Sequence, residues 1–391
     1  MSRSFWRAAA LAIIVTTCGT LPVFLVAGVA VQVRADLGLP VGHIGLLSAV
    51  YFGASALTSS WAGRLIERTG APLAMRATTL LAGVALAGIG LAPNEAALVG
   101  FLALGGCAGA AGQVASNLYL ATETHPSRQG LAFGIKQSAI PAATLLGGLA
   151  VPLVALTLGW RWAFAAGTAL AWGVAATIRS PGPRRAGFKA TPARRPDAPL
   201  VALIVMSAGG GLASSAANSL GTFLVDSTVA AGIQEAHAGI LAAIGSACGL
   251  STRIGAGWFA DRARGGRLLW VSSLLAAGAL GYAAMATRDT ALLVPATLVC
   301  FIGGWGWPGL FNFSIVLRNR GAPAAATGVT QTGVYLGGVL GPLLFGQVAQ
   351  HISYATAWWM NAAMAAAGSV SIIVGRHLLL ASTSPPHEVS A

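Results

Sequence analysis

Two basic residues, Lys136 and Arg253, stand inside long apolar runs where no acid accompanies them. The ten acids (Asp36, Glu67, Glu95, Glu123, Asp197, Asp226, Glu235, Asp261, Asp289 and Glu388) all fall near the ends of such runs. A charge in the middle of a spanning helix costs roughly 2.5–3.5 kcal/mol on insertion scales, so it faces a cavity or a partner. Arg253 shares a helical face with Gly249 and Ser246, a small and polar stripe. Its planar guanidinium can hold a carboxylate by two parallel hydrogen bonds, which an ammonium cannot do in one geometry. Two cations without acids call for an anion. The competing explanation is snorkelling, because both lie a few turns from the end of a run and long side chains can reach the headgroups. Arg76, just inside its run, reads that way.

Other chemistries find no support. His43, His125, His237, His351, His377 and His387 are too far apart to form a metal cluster or a catalytic dyad by local spacing. Lys136 and Lys189 are the only lysines, and neither belongs to a Gly-x-x-x-x-Gly-Lys-Ser/Thr phosphate loop. Cys18, Cys107, Cys248 and Cys300 are scattered inside apolar runs and read as small core residues. We therefore expect no enzyme, no cofactor and no metal. Without a carboxylate in mid-span the simplest proton carrier is also missing, so Glu123 and Asp36 are the nearest acids to test, with a proton as a candidate co-substrate.

The elements that position the two cations follow from composition. Of 391 residues, 55% are hydrophobic and 8% charged, with a mean hydropathy of +0.74, which excludes a soluble domain or a disordered regulator. Breaking the chain at charges, Pro and Gly gives apolar spans near 8–33, 42–62, 72–92, 96–122, 130–157 and 161–179. A second set lies near 199–225, 238–258, 268–287, 290–317, 323–350 and 354–378. Each is long enough to cross a bilayer as a helix, so the expected fold is an all-α membrane protein with twelve crossings. The first run follows a short basic stretch that could start a signal peptide, but it is long and many spans follow. The net charge of +13 reads as topology rather than nucleic-acid binding. With the N-terminus inside, 17 basic residues fall on the cytoplasmic face, against Arg34, Arg161 and Arg288 outside. This puts both termini on the cytoplasmic side of the bilayer.

The chain also repeats itself at an offset of 194 residues. His43-Ile-Gly-Leu-Leu47 aligns with His237-Ala-Gly-Ile-Leu241; Gly63, Glu67 and Arg68 align with Gly257, Asp261 and Arg262; Gly134, Gln137 and Gly147 align with Gly328, Gln331 and Gly341. The expected division is two parallel six-helix bundles, 1–180 and 199–380, joined by a Pro- and Arg-rich cytoplasmic linker, 181–198, and followed by a tail, 381–391. Lys136 aligns with Thr330 and Arg253 with Ser59, so both cations break the symmetry.

The loops Gly63-Arg-Leu-Ile-Glu-Arg-Thr-Gly70 and Gly257-Trp-Phe-Ala-Asp-Arg-Ala-Arg-Gly265 resemble the signature loop of the major facilitator superfamily. Glu67 departs from the usual Asp. The resemblance, carried also by the helix count, the linker and the duplication, implies a secondary transporter of the inner membrane that moves a solute by alternating access. Each loop Gly would end a closely packed helix, and the acid and Arg that follow would pair in one conformation and release in another. Gly63, Glu67, Arg68, Gly257, Asp261 and Arg262 are thus gating candidates, with the symmetric Gln137 and Gln331. The resemblance further implies a cavity lined by the first, fourth, seventh and tenth helices. These carry Thr16 and Thr20; Gln113 and Asn117; Ser215, Asn218 and Thr222; Trp305 and Asn312. Such residues also commonly tie helices together.

Arg253 resembles the carboxylate-binding Arg of monocarboxylate and oxalate transporters, and Gly134-Ile-Lys-Gln-Ser138 with Gly159-Trp-Arg-Trp162 resembles bacterial organic-anion and cyanate permeases. The expected cargo is a small organic anion, with Arg253, Lys136, Gln113, Asn117, Asn218, Trp305 and Asn312 as substrate contacts. The alternative is a drug or lipophilic-compound efflux antiporter of the same fold, although the fifth span lacks the Gly-Pro-x-x-Gly-Gly pattern of those antiporters. A receptor or scaffold would need neither the duplicated loop nor a polar interior. Two fused bundles would form a complete pathway in one chain, so the expected working unit is a monomer.

Overall fold

The computed structural model describes residues 3–125, 128–178, 196–262, 265–319 and 322–381, without the side chains of Arg3, Ser4, Ser60, Trp61, Arg64, Glu67, Gln129, Asp261, Pro323 and Ala324. Most of the expected linker and the tail beyond Ala381 lie outside the described residues. Within them every regular element is helical. The first half comprises α1 (Arg3–Gly28), α2 (Ala30–Leu37), α3 (Val41–Thr69), α4 (Ala71–Gly90), α5 (Glu95–Glu123), α6 (Gln129–Gln137), α7 (Ala139–Ala150) and α8 (Trp160–Thr177). The second comprises α9 (Leu200–Val229), α10 (Glu235–Arg262), α11 (Arg267–Ala286), α12 (Thr290–Val299), α13 (Pro308–Arg318), α14 (Pro323–His351) and α15 (Tyr354–Ala381).

Among the described residues eleven spans are long and apolar enough to cross a membrane, counting α6–α7 and α12–α13 as one crossing each. The expected sixth, α8, has 18 residues and is diluted by Trp160, Arg161, Trp162 and Trp172. Its start is tied down by polar contacts instead. Asp36 accepts from Trp160 Nε1 at 3.2 Å and from the Arg161 guanidinium, which also reaches Ala92 O at 3.2 Å.

Several of the runs are broken within their length. The first stops at Gly28 and resumes as α2. The fifth bends at Ser138, three residues before Pro141, and ends in a π-helical turn, Val151–Ala155, that contains Pro152. The tenth passes through a π-helical turn, Cys300–Gly304, and is interrupted before Pro308. Proline removes a helical donor and π-turns loosen the ladder, so both crossings expose carbonyls that need other partners.

Glycine lets the helices touch backbone to backbone. A Cβ at Gly28 would stand 2.4 Å from Gly147 O, and one at Gly147 would stand 2.5 Å from Phe24 O, which fixes α1 against α7. Two seams join the halves. Along the first, α10 follows α6 and α7 for their full length: Gly239 meets Gly148 at one end, and Gly257 meets Gly134 at the other. Along the second, α3 packs on α14 at Gly42, Gly45, Pro342 and Gly346. Towards the opposite end of this second seam a Cβ at Gly53, Gly63 or Gly328 meets none of the described residues within 4 Å, and Leu57 and Leu336 are 79% and 56% exposed. The halves therefore part as a wedge that widens toward the end carrying the start of α1 and the close of α15.

The opposite end is sealed. Arg34 Nη1 pairs with Asp226 Oδ1 at 2.6 Å, Gln32 Nε2 donates to Glu235, and Gly42 N donates to Gln350 Oε1 at 2.8 Å. Each contact crosses between halves. Gln32 and Asp226 are equivalent positions in the repeat, and each bonds a residue of the opposite half.

Candidate functional site

Lys136 lies in the last turn of α6, 1% exposed, and its ammonium donates to Gln113 Oε1 on α5. Arg253, on the facing side of the α6–α10 seam and 3% exposed, donates from Nη1 to Gln137 O at 2.6 Å and from Nε to Trp305 O at 2.8 Å. Its guanidinium carbon lies 5.6 Å from the Trp305 ring centroid. Trp305 is buried where α12 and its π-turn end. Its indole N–H donates to Ala217 O on α9, and its ring meets Phe24 and Phe301 edge-on at 5.7 and 5.1 Å. The interrupted tenth crossing thus places an aromatic partition above Arg253, in contact with both halves.

Among the described residues neither cation has a carboxylate partner. Arg34–Asp226 and Arg161–Asp36 pair elsewhere, and His43 Nδ1 lies 2.6 Å from Glu95 Oε1. Two buried positive charges thus face one another's surroundings with only amide oxygens as acceptors. Ser246, on the Arg253 stripe, is buried, and its Oγ has no partner; Thr16 Oγ1 on α1 and Ser116 Oγ on α5 share that state.

The remaining expected contacts divide into groups. Asn117 stands exposed one turn from Gln113, toward the open end of the wedge. Asn312 accepts from Gln331 Nε2 at 2.9 Å, joining α13 to α14. Asn218 does not join the cations: its amide nitrogen bonds Ser214 O at 2.9 Å and Ser214 Oγ at 3.1 Å in its own helix, beside Gly338. Thr20 bonds carbonyls of its own helix, and Thr222 meets Ser48 across the halves at 3.2 Å.

The family model described as Major Facilitator Superfamily matches residues 11–329. The chain belongs to that superfamily. No curated protein matches its sequence. Among solved structures it is similar to a bacterial homolog of the human lysosomal transporter Spinster, in an inward-facing and occupied conformation, at 14% identity over 98% of each chain with a TM-score of 0.70. The inward-facing and unoccupied form of that homolog matches at 15% identity over 99% of this chain and 100% of that one, with a TM-score of 0.67. Members of the superfamily are transporters that work by alternating access, and one sealed end opposite a wedge is the geometry such a cycle requires.

In this transporter the two signature loops sit differently. Gly257 is closely packed: a Cβ at Gly134 would stand 3.1 Å from Gly257 Cα. Among the described residues nothing lies within 4 Å of a Cβ at Gly63, on the seam where α3 and α14 part. Gly134 and Gly328 repeat the contrast, so equivalent glycines are closed on one seam and open on the other. Arg262 folds back on its own helix, 3.9 Å from the Trp258 ring centroid and 3.1 Å from Trp258 O, and Arg68 is exposed. The side chains of Glu67 and Asp261 lie outside the described ones. Gln137 contributes its carbonyl to Arg253, and Gln331 its side chain to Asn312.

Sequence reasoning passed over the sealing residues Gln32, Arg34, Asp226, Glu235 and Tyr354. Asp226 is 3% exposed and accepts from the Tyr354 hydroxyl as well as from Arg34. A signal existed in the repeat: Trp160 and Tyr354 are equivalent, and each donates to an acid at the end of a helix of its own half.

Proposed function

We propose that this superfamily member carries a small organic anion, a carboxylate, between two six-helix bundles that rock about a site at Arg253 and Lys136. The observation that supports this is the burial of both cations on touching helices without a carboxylate partner among the described residues. Buried charge is stable only when compensated, and in a transporter the cargo can supply the compensation. Gln113 and Asn117 add amide groups on the open side, and Trp305 closes the site toward the sealed end. The bias of basic residues toward the chain termini supports an inner-membrane protein with both termini in the cytoplasm, so that the wedge opens inward. One chain contains both bundles and works as a monomer.

The test is uptake of labelled mono- and dicarboxylates into proteoliposomes under imposed pH and voltage gradients, comparing wild type with Arg253→Gln and Lys136→Gln. Saturable uptake of a carboxylate that collapses in both variants is expected, and the response to each gradient identifies whether a proton accompanies the anion. Normal anion uptake in both variants, or transport of lipophilic cations alone, would refute the proposal.

A further inference from the structure

Arg253 has an occupation of its own in the described state. It binds two backbone carbonyls, one from each half, and proline explains the first. In a regular helix Gln137 O would accept from the amide of residue 141, but Pro141 has no N–H. Trp305 O lies where the tenth crossing leaves its helical path before Pro308, at the end of a π-turn where carbonyls lack helical donors. An orphaned carbonyl inside a bilayer needs another donor, and Arg253 supplies one to each, at 2.6 and 2.8 Å.

The repeat supplies an internal control. The positions equivalent to Pro141 and Arg253 are Tyr335 and Ser59. There the helix keeps its amide at the fourth residue after Gln331, and the position equivalent to Arg253 is a serine. The proline and the arginine are present together on one seam and absent together on the other. The seam that has them is closed along its whole length, while the seam without them has parted at the wide end.

We infer that Arg253 couples cargo binding to helix movement by exchanging partners: it clamps Gln137 O to Trp305 O, and releases Gln137 O when a carboxylate binds. The inference rests on the anion reading of the site. Nη2 has no partner among the described residues, and Nη1 is held by Gln137 O alone. Freed from that carbonyl, the Nη1–Nη2 edge is the planar fork that binds a carboxylate bidentately, while Nε keeps Trp305 O. Losing Gln137 O removes one tie between α6–α7 and α10, beside that of Ser138 Oγ to Leu250 O at 3.3 Å, and loosens the one seam still closed near the open end. Arg253 acts here as a positioning residue for the moving helices as well as a contact for the anion.

Pro141→Ala separates the two roles. It returns an amide to Gln137 O within its own helix and leaves Arg253 and Lys136 in place. Spin labels at Arg128→Cys and Gly255→Cys, both exposed, would report the seam by electron–electron distance in protein lacking the four native cysteines. Thermal shift with acetate, lactate, oxalate and succinate as probes would report binding. In wild type a binding carboxylate should lengthen the label distance by about 2 Å or more, the scale of helix shifts at interfaces. Ligand-free Pro141→Ala should already show the longer distance, bind the same carboxylate, and move no further. Arg253→Lys should bind weakly and lose most of the wild-type response, since an ammonium cannot offer the fork. A carboxylate that binds wild type without moving the labels, or a ligand-free Pro141→Ala identical to wild type, would overturn the exchange and leave the anion reading standing. No binding of any carboxylate to wild type would overturn both.

Discussion

Replacing Asp226 by Asn should open the sealed end. Asp226 is 3% exposed and pairs with Arg34 at 2.6 Å, with Tyr354 as its second donor. Removing one partner of a buried ion pair costs about 3–5 kcal/mol, because the other charge is left uncompensated. Arg34 is 26% exposed and keeps part of its hydration, and the Asn amide oxygen still accepts from Tyr354, so about 2 kcal/mol is the reasonable share here. The pair joins the two halves and exists only when this end is closed, so its loss acts on the conformational equilibrium rather than on folding alone. At about 1.4 kcal/mol per factor of ten, the ratio of open to sealed should rise roughly 30-fold. Spin labels at Leu91→Cys and Ile352→Cys, on opposite halves and 81% and 68% exposed, would measure it as growth of a long-distance population. The Arg34→Gln/Asp226→Asn double variant should open no further than the stronger single variant, since both remove the same interaction. An unchanged distance distribution in Asp226→Asn, or strictly additive effects in the double variant, would refute the reasoning.

Tyr354→Phe removes one donor from the same carboxylate and leaves Arg34; it should lengthen the distances less than Asp226→Asn, at a cost of about 1–2 kcal/mol. Gly134→Ala places a Cβ 3.0 Å from Arg253 O and 3.1 Å from Gly257 Cα, backbone atoms that cannot turn aside, and should cost about 1–3 kcal/mol in thermal unfolding in detergent. Gly63→Ala, whose Cβ meets none of the described residues, should match or slightly exceed wild type in the same measurement, and equal losses at both sites would contradict the asymmetry of the seams. Arg161 first, then Trp160, hold the Asp36 carboxyl below its ordinary value of 3.8 through hydrogen bonds to the ionised form. Their contribution is present above that value and lost as pH falls through the lowered one, so Asp36→Asn should be less stable than wild type at pH 7, with the deficit vanishing in strong acid. A deficit that persists in acid would show that Asp36 contributes through shape rather than charge.

The spans, the duplication and the two asymmetric cations were legible in the amino-acid order because each is a local or self-referential property. Twenty apolar residues form a helix in lipid whatever lies beside them, and a repeat is found by comparing the chain with itself. The break at Trp305–Pro308 and the bend before Pro141 were written in their prolines. Partnership was not. Arg253 read as an open cation on a small polar stripe, yet it holds carbonyls 116 and 52 residues away in sequence, a consequence of how α6, α10 and the tenth crossing converge. Asp226 read as an acid near a helix end, but burial by the opposite half makes it part of a seal. Gly63 and Gly257 occupy the same position of the motif in the two copies of the repeat, and only the relative placement of the halves leaves one open and the other packed among the described residues. Helix formation is decided by the residues of one segment, whereas seams between rigid bundles are decided by surfaces far apart in the chain. A transporter must support more than one such arrangement with the same residues, which is why the order of residues specifies the helices and the tertiary structure alone shows which seam is closed.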